Sequence, residues 1–380
     1  MNIIYVYPEE ILQKNAREIS VLNTVNELKN FARVRLALSN LNCAVGEINA
    51  KFDLNLKSDD FILVKKRFLG FRSNKIFNFN LRRVIARESD TVFYARHLKT
   101  AAYLLAHKKP SQKVVFEAHE CFASQNPSAR ELEKMALSNC DFYVFHNAST
   151  RDELAKIYGI TFLNSAVAYN GVKLPEMQSA PSKHFKFDEI AYFGSFIAWK
   201  GVDLLLDLLA RDSNLKLFLY GDDKADSARS LKNQIAERGL EGRARFMGRL
   251  SQAEVVKELT KNERILILPN KKSEYSNFSV PIKIFEYLGT CNLVFAPSFA
   301  PFREVVRDGE NGFLYEPENI DALASLLETV SQKSADELNS VANAGRESVK
   351  NFTWAARARA IATALKSAFG DDNSNLKGEA

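Results

Sequence analysis

The sequence predicts an α/β protein built from two doubly wound domains, each a parallel sheet covered on both faces by helices, and three observations predict it. The chain has 380 residues, and at roughly 100–200 residues per domain that length points to two domains. Short β-rich runs alternate with helix-period segments along nearly all of it, the pattern of βαβ units. Between the two series of units, residues 171–187 contain Pro175 and Pro181 and no periodicity, which reads as a linker.

In the first half, Ile3 to Tyr7, Val34 to Leu38, Val92 to Tyr94, Val114 to Phe116 and Phe142 to Phe145 read as strands. Between them Ala16 to Ala32, Lys99 to His107, Arg130 to Leu137 and Arg151 to Tyr158 have helical spacing, with Ser149 or Thr150 placed to cap the last. In the second half the strands are Ile190 to Phe193, Leu215 to Tyr220, Ala244 to Met247, Ile265 to Leu268 and Leu293 to Ala296. Each is followed by a helical segment, such as Val202 to Ala210 or Ile282 to Leu288. A last helix, Trp354 to Phe369, is long enough to reach back across the linker. The expected division is an N-terminal domain at 1–170, a linker at 171–187, a C-terminal domain at 188–351, a crossover helix at 352–369 and a disordered polar tail at 370–380. Two such domains facing each other would put the carboxyl ends of both sheets at a shared cleft, where such folds bind ligands.

Composition bounds the class. Hydrophobic residues make up 46% and charged residues 26%, ordinary values for a globular protein with buried cores. No apolar run approaches the roughly 18–20 residues that span a bilayer, and Met1 to Glu10 lacks the pattern of a signal peptide, so a cytoplasmic protein is expected. Cys43, Cys121, Cys140 and Cys291 lie far apart, which suggests reduced thiols rather than a zinc site or disulfide framework.

The charge is unevenly shared: residues 1–170 carry 24 Lys and Arg against 17 Asp and Glu, and the rest 28 against 29. The excess concentrates in Lys65, Lys66, Arg67, Arg72, Lys75, Arg82, Arg83 and Arg87, interleaved with Phe68, Phe71, Phe77 and Phe79 and with no acid among them. That mix suits an acidic lipid surface, where each Lys or Arg contributes about 1 kcal/mol, or an anionic acceptor. It also fits nucleic acid, or a solvated loop and helix whose phenylalanines are core. No nucleic acid partner is expected, since only this run suggests one.

Two loops carry chemistry. Gly194-Ser195-Phe196-Ile197-Ala198-Trp199-Lys200-Gly201 follows a strand and opens a helix, so backbone amides and the Lys200 ammonium can meet an anion. It is neither a GxGxxG fingerprint nor a P-loop, which disfavours dinucleotide enzymes and ordinary ATPases. In Ser279 to Gly289, Pro281 suits a first helical turn, Ile282, Phe285 and Leu288 form a packing face, and Glu286 lies one turn in. A carboxylate there can accept from the two vicinal hydroxyls of a ribose, while the helix start and Lys283 meet phosphate.

With these residues in view, Gly194 to Asp203, Leu219 to Asp222, Phe246-Met247-Gly248, Pro281 to Gly289 and Val305 to Pro317 resemble the group 1, or family 4, glycosyltransferases. Asn170-Gly171-Val172 and Phe352-Thr353-Trp354 are similar to that family's domain junction and crossover-helix start, and Tyr94 to Arg96 and Glu117 to Glu120 match more loosely. The resemblance implies a GT-B fold of two Rossmann-like domains. It also implies a retaining transfer of sugar from a nucleotide-diphosphate donor to a hydroxyl, with no cofactor and usually no metal. By resemblance, Lys200 neutralises the leaving diphosphate, Glu286 holds the ribose and His119 sits at the reacting centre. The donor contacts it implies are Gly194, Ser195, Gly221, Gly248, Asn277, Phe278, Ser279, Val280, Pro281, Ile282 and Lys283. The basic stretch from Lys65 to Arg87 would hold a lipid-linked or cell-envelope glycan acceptor, with the protein peripheral on the inner face of the membrane.

Three positions depart from the family pattern. Ser195 stands where an Arg is common, Phe278 where the first of two glutamates is common, and Gln13 to Glu18 replaces a glycine-rich loop. Sugar contacts would then come from backbone amides of Asn277 to Val280. With no carboxylate obviously placed as a nucleophile, front-face attack is expected, Glu117 and Glu120 being the reserve candidates. The rival reading is a non-catalytic scaffold at the membrane that kept the fold.

Overall fold

The computed structural model describes residues 1–11, 16–68, 71–177 and 181–370, and the chain divides into two compact units. Unit 1 is residues 1–170 with 354–380, and unit 2 is residues 171–353. Residues 171–187, expected as a linker, group with unit 2, and its first strand begins at Lys186. Residues 371–380 of the expected tail lie outside the described residues.

Unit 1 contains β1 (Asn2–Glu10), β2 (Arg33–Asn40), β3 (Phe61–Leu63), β4 (Arg67–Phe68), β5 (Phe71–Arg72), β6 (Thr91–Ala95), β7 (Lys113–Ala118), β8 (Phe142–Phe145) and β9 (Ser165–Val167). Seven of them form one parallel sheet in the order β3-β2-β1-β6-β7-β8-β9. The two short strands β4 and β5 form a separate antiparallel pair. The sheet is apolar throughout its middle because helices cover both faces: Ile3, Ile4, Tyr5 and Val6 of β1 are all buried. The helix Ala16–Leu28 is shorter than its periodicity suggests because the chain turns at Phe31 and Ala32, whose amides both donate to the Leu28 carbonyl. The helix Trp354–Phe369 packs against it, burying Ala358, Ile361, Ala362 and Leu365 with Val21, Leu22 and Val25. The helix Ala148–Tyr158 is capped by Asn147, whose side chain accepts from the Thr150 amide at 2.7 Å; Ser149 and Thr150, expected as caps, lie inside it.

Unit 2 contains β10 (Lys186–Phe193), β11 (Lys216–Tyr220), β12 (Ala244–Gly248), β13 (Arg264–Ile267), β14 (Val294–Pro297) and β15 (Phe313–Tyr315). They form a parallel sheet in the order β12-β11-β10-β13-β14-β15. In each unit the chain winds outward in both directions from a central pair, β1 and β6 in unit 1 and β10 and β13 in unit 2. Those pairs are the topological switch points, where the loops at the carboxyl ends part and leave a crevice.

Three short edge strands, β3, β9 and β15, were not predicted, since three residues carry too little periodicity to register. Among the described residues, no helix is long and apolar enough to cross a membrane.

Candidate functional site

At the carboxyl edge of unit 2, β10 ends at Phe193, and the chain passes from Gly194 through a single turn, Ala198–Lys200, into the helix Val202–Arg211. Gly201 joins them with φ +68°, and a Cβ there would lie 1.9 Å from the Pro269 carbonyl oxygen, so only glycine fits. The turn thus lies against the chain leaving β13, and the Lys271 amide donates to the Trp199 carbonyl at 3.0 Å. Neighbouring strand ends are laced to it: the Gly194 amide donates to Tyr220 at 2.8 Å and the Gly221 amide to Gly248 at 3.0 Å. Gly194, Gly221 and Gly248 therefore form one edge; Ser195 is exposed beside it.

Lys200 is partly buried, its ammonium 3.9 Å from the centre of the Trp199 ring, and among the described residues no carboxylate pairs with it. Burial first, and then the charge of Lys283, pull its pKa down to about 8. Lys283 reaches Glu286 at 2.7 Å, and Gln252 Nε2 donates to the other carboxylate oxygen at 2.8 Å. Glu286 is thereby fixed and only 5% exposed, so it is a positioned acceptor and not a solvated helix residue. Its helix runs Ile282–Gly289 with Pro281 as the capping position. The packing face differs from expectation: Ile284 and Tyr287 are buried with Phe285 and Leu288, while Ile282 is half-exposed.

The loop before that helix corrects another expectation. Residues Glu274–Phe278 form a short helix, so the Asn277 amide donates to Ser273 at 3.0 Å and the Ser279 amide to Tyr275 at 2.9 Å. Neither is free for a sugar in this conformation. Phe278 and Val280 are buried, Ser279 is half-buried and Asn277 is exposed. The sequence reading also overlooked Asn270, which follows β13 at the switch point. It is 1% exposed, and among the described residues neither its amide nitrogen nor its oxygen meets a partner. No motif marks it; only burial without satisfaction does.

In unit 1, His119 follows β7, and its Nε2 meets Glu117. Glu117 is 1% exposed and accepts in addition from Arg357 at 2.7 Å and from the Tyr5 hydroxyl at 3.2 Å. Arg357 comes from the helix Trp354–Phe369, is itself buried, and donates further to Thr24 and to the carbonyls of Ala168 and Tyr169. Burial alone would raise the Glu117 pKa; Arg357 foremost, then His119 and Arg96, outweigh it and hold the carboxyl well below its usual range. Burial, with Arg96, presses His119 well below its usual value, against the pull of Glu117. His119 stacks on His146 at 4.6 Å between ring centres, and burial lowers His146 to about 4. With Nε2 directed to Glu117, a neutral His119 turns Nδ1 outward as an acceptor. Three groups, His119, Arg357 and Tyr5, thus meet the Glu117 carboxylate. Among the described residues, no group of three or more His, Cys, Asp or Glu is placed to hold a metal.

The basic stretch divides. Lys66 is buried and bonded to Glu9 at 2.8 Å, and Arg72 pairs with Glu10 at 3.0 Å, so Lys66 is part of the core and no surface contact. Phe77 is core as well. Lys65, Arg67, Lys75, Arg82, Arg83 and Arg87 are exposed, and with them Phe68, Phe71 and Phe79 at 66%, 76% and 64%.

The fold is thus two doubly wound sheets, each with a cluster of polar side chains at its strand ends, the one in unit 2 holding Lys200 and the anchored Glu286. The model of "Glycosyl transferases group 1" matches residues 176–348, and that of "Glycosyltransferase Family 4" matches residues 55–175. The chain belongs to the group 1 glycosyltransferases of the GT-B fold. Among solved structures, HepE from Anabaena in complex with UDP is similar over 97% of this chain and 100% of its own, with a TM-score of 0.75 and 16% identity. Sucrose-phosphate synthase from Thermosynechococcus elongatus covers 97% of this chain and 99% of its own, with a TM-score of 0.74 and 14% identity. The lipopolysaccharide outer core galactosyltransferase WaaB is similar over 97% and 99%, with a TM-score of 0.70 and 17% identity. At such identities they bear on fold alone. No curated protein matches the sequence closely enough to add to this.

Replacing Arg357 by Leu leaves the Glu117 carboxylate buried beside a lost partner, which should lower the stability of unit 1 by about 3–5 kcal/mol. Adding Glu117→Gln removes the stranded charge and should recover most of that loss. Denaturant unfolding of the two variants checks this; no recovery in the double variant contradicts the pairing.

Proposed function

We propose that this glycosyltransferase moves a sugar from a nucleotide-diphosphate sugar to a hydroxyl of a lipid-linked or cell-envelope glycan, with retention at the anomeric carbon. The observation that carries the donor half is the pairing of an uncompensated Lys200 with a buried, anchored Glu286 at one sheet edge of unit 2. In this reading Glu286 accepts from the ribose diol, and Lys200 with Lys283 meets the diphosphate, giving that role to ammonium groups and not to a metal ion. Asn270 is the polar group left over, and we assign it to the donor sugar. The UDP complex of the similar Anabaena protein supports a uridine nucleotide as the first donor to try.

On the acceptor side, His119 Nδ1 accepts from a hydroxyl near the reacting centre, and Glu117 with Arg357 fixes that imidazole. Because three donors already occupy Glu117, we favour front-face attack in which the leaving phosphate takes the acceptor's proton. A glycosyl group trapped on Glu117 or Glu120 contradicts this. The kind of acceptor is supported by the similarity to an outer core galactosyltransferase and by the exposed basic and aromatic face. That face suits peripheral attachment to acidic lipid.

Lys200 supplies a pH test. Its free-state pKa of about 8 rises when a diphosphate binds, so nucleotide affinity is full below pH 8 and falls about tenfold per unit above it. Lys200→Arg, always charged, should flatten that fall, and Lys200→Ala should weaken binding at every pH; calorimetric titration with UDP reads all three. A parent protein whose affinity is level from pH 7 to 10 contradicts the role.

Reversing Arg82 and Arg83 to Glu should weaken binding to phosphatidylglycerol vesicles by about tenfold or more and leave nucleotide affinity unchanged. Equal sedimentation of parent and variant with vesicles removes the membrane claim.

A further inference from the structure

The switch point of unit 1, between the ends of β1 and β6, opens a crevice lined by Arg17, Arg96, His97 and His119 and also by the carboxylates of Glu9 and Glu120. Two nitrogen atoms there, Arg96 Nη1 and His97 Nδ1, are buried without a hydrogen-bond partner. A buried donor left without a partner is costly, more so when charged, and such groups are few in native proteins. The acids there point their bonds elsewhere: Glu9 is paired with Lys66 at 2.8 Å, Glu120 accepts from the neutral Gln125 amide at 2.7 Å and keeps its charge, and Glu117, under His119, is paired with Arg357 at 2.7 Å. Two guanidinium groups and one imidazole therefore face the crevice with no carboxylate bonded to them among the described residues.

We propose that this crevice is a phosphate-binding subsite, which takes a phosphate carried by the molecule that receives the sugar. Tetrahedral oxygens accept from several directions at once, so one phosphate satisfies Arg96 Nη1, the fork of Arg17 and His97 in the tautomer that carries its proton on Nδ1. A neutral hydroxyl accepts too few bonds for that and leaves two cations uncompensated. His119 lines the same crevice, so the hydroxyl it receives lies a few bonds from the phosphate. The acceptor is then a phosphorylated sugar or a lipid headgroup. The inference rests on reading unit 1 as the acceptor side, and it narrows the acceptor from any glycan hydroxyl to one beside a phosphate.

The test follows the Cε1–Hε1 NMR signals of His97 and His119 in the full chain, with UDP present to fill the edge of unit 2, while inorganic phosphate is titrated. Saturable shifts of both are expected, with phosphate affinity at least about tenfold weaker in Arg96→Ala and partly restored in Arg96→Lys. Arg17→Ala, at an exposed position, weakens it too without threat to folding. Glucose 6-phosphate and phosphatidylglycerol vesicles form two further arms: tighter binding by the first names a soluble phosphosugar and by the second a lipid headgroup. No shift with any of the three, or parent-like affinity in both Arg96→Ala and Arg17→Ala, overturns the subsite. UDP affinity is measured separately: its loss with the phosphate response intact sinks the transferase reading and leaves the subsite standing, and the reverse sinks only the subsite.

Discussion

A parallel sheet covered on both faces leaves one place for chemistry, the edge where its strands end. In both units of this protein the strands are largely apolar, and the turn around Lys200 and the residues His119 and Asn270 stand at their carboxyl ends. The crevice widens where winding changes direction. At the switch point of unit 2 stands Asn270 with neither side-chain atom bonded; at that of unit 1 stand Arg96 and His97, each with an unpartnered nitrogen. Topology names these two places, and among the described residues buried unsatisfied atoms occur at both, as they also do elsewhere, at Asn23 and Asn343 for example.

The charges follow the same logic of compensation. Where a buried charge has a structural duty it is fully paired, as Glu117 is with Arg357, His119 and Tyr5. Where it lacks a carboxylate among the described residues, as Lys200 does, burial drives its pKa down to about 8. Such incomplete groups cost stability in the free protein, and in the proposed reading a ligand returns that cost as affinity. Arg357 also links the last helix to His119, so the chain's end contributes to the orientation of a catalytic candidate at the end of β7.

Much of this was legible in the sequence. The long strands, the turn around Lys200 and the helix bearing Glu286 show in periodicity and in glycine and proline placement. What was not legible depended on contacts distant in the chain. Gln252 holds Glu286 from 34 residues away and Arg357 holds Glu117 from 240, and no local pattern announces either. The basic stretch shows the limit from the other side. Its residues look equivalent in sequence, yet Lys66 and Phe77 turned inward, while Phe68, Phe71 and Phe79 stayed out. The backbone amides of Asn277 and Ser279 seemed available until a short helix claimed them.

The central claim is that the carboxyl edge of unit 2 binds a nucleotide diphosphate through Lys200 and Glu286. Thermal unfolding against a panel of nucleotide diphosphates and nucleotide sugars tests it most directly. A ligand at about a hundred times its dissociation constant adds roughly 2.7 kcal/mol, and each kcal/mol moves the midpoint of a unit this size by about 2–4 °C. The account predicts that one nucleotide family raises the midpoint of the parent protein by about 5–11 °C and that Glu286→Gln abolishes the rise. No rise with any nucleotide, or an equal rise in Glu286→Gln, would contradict it.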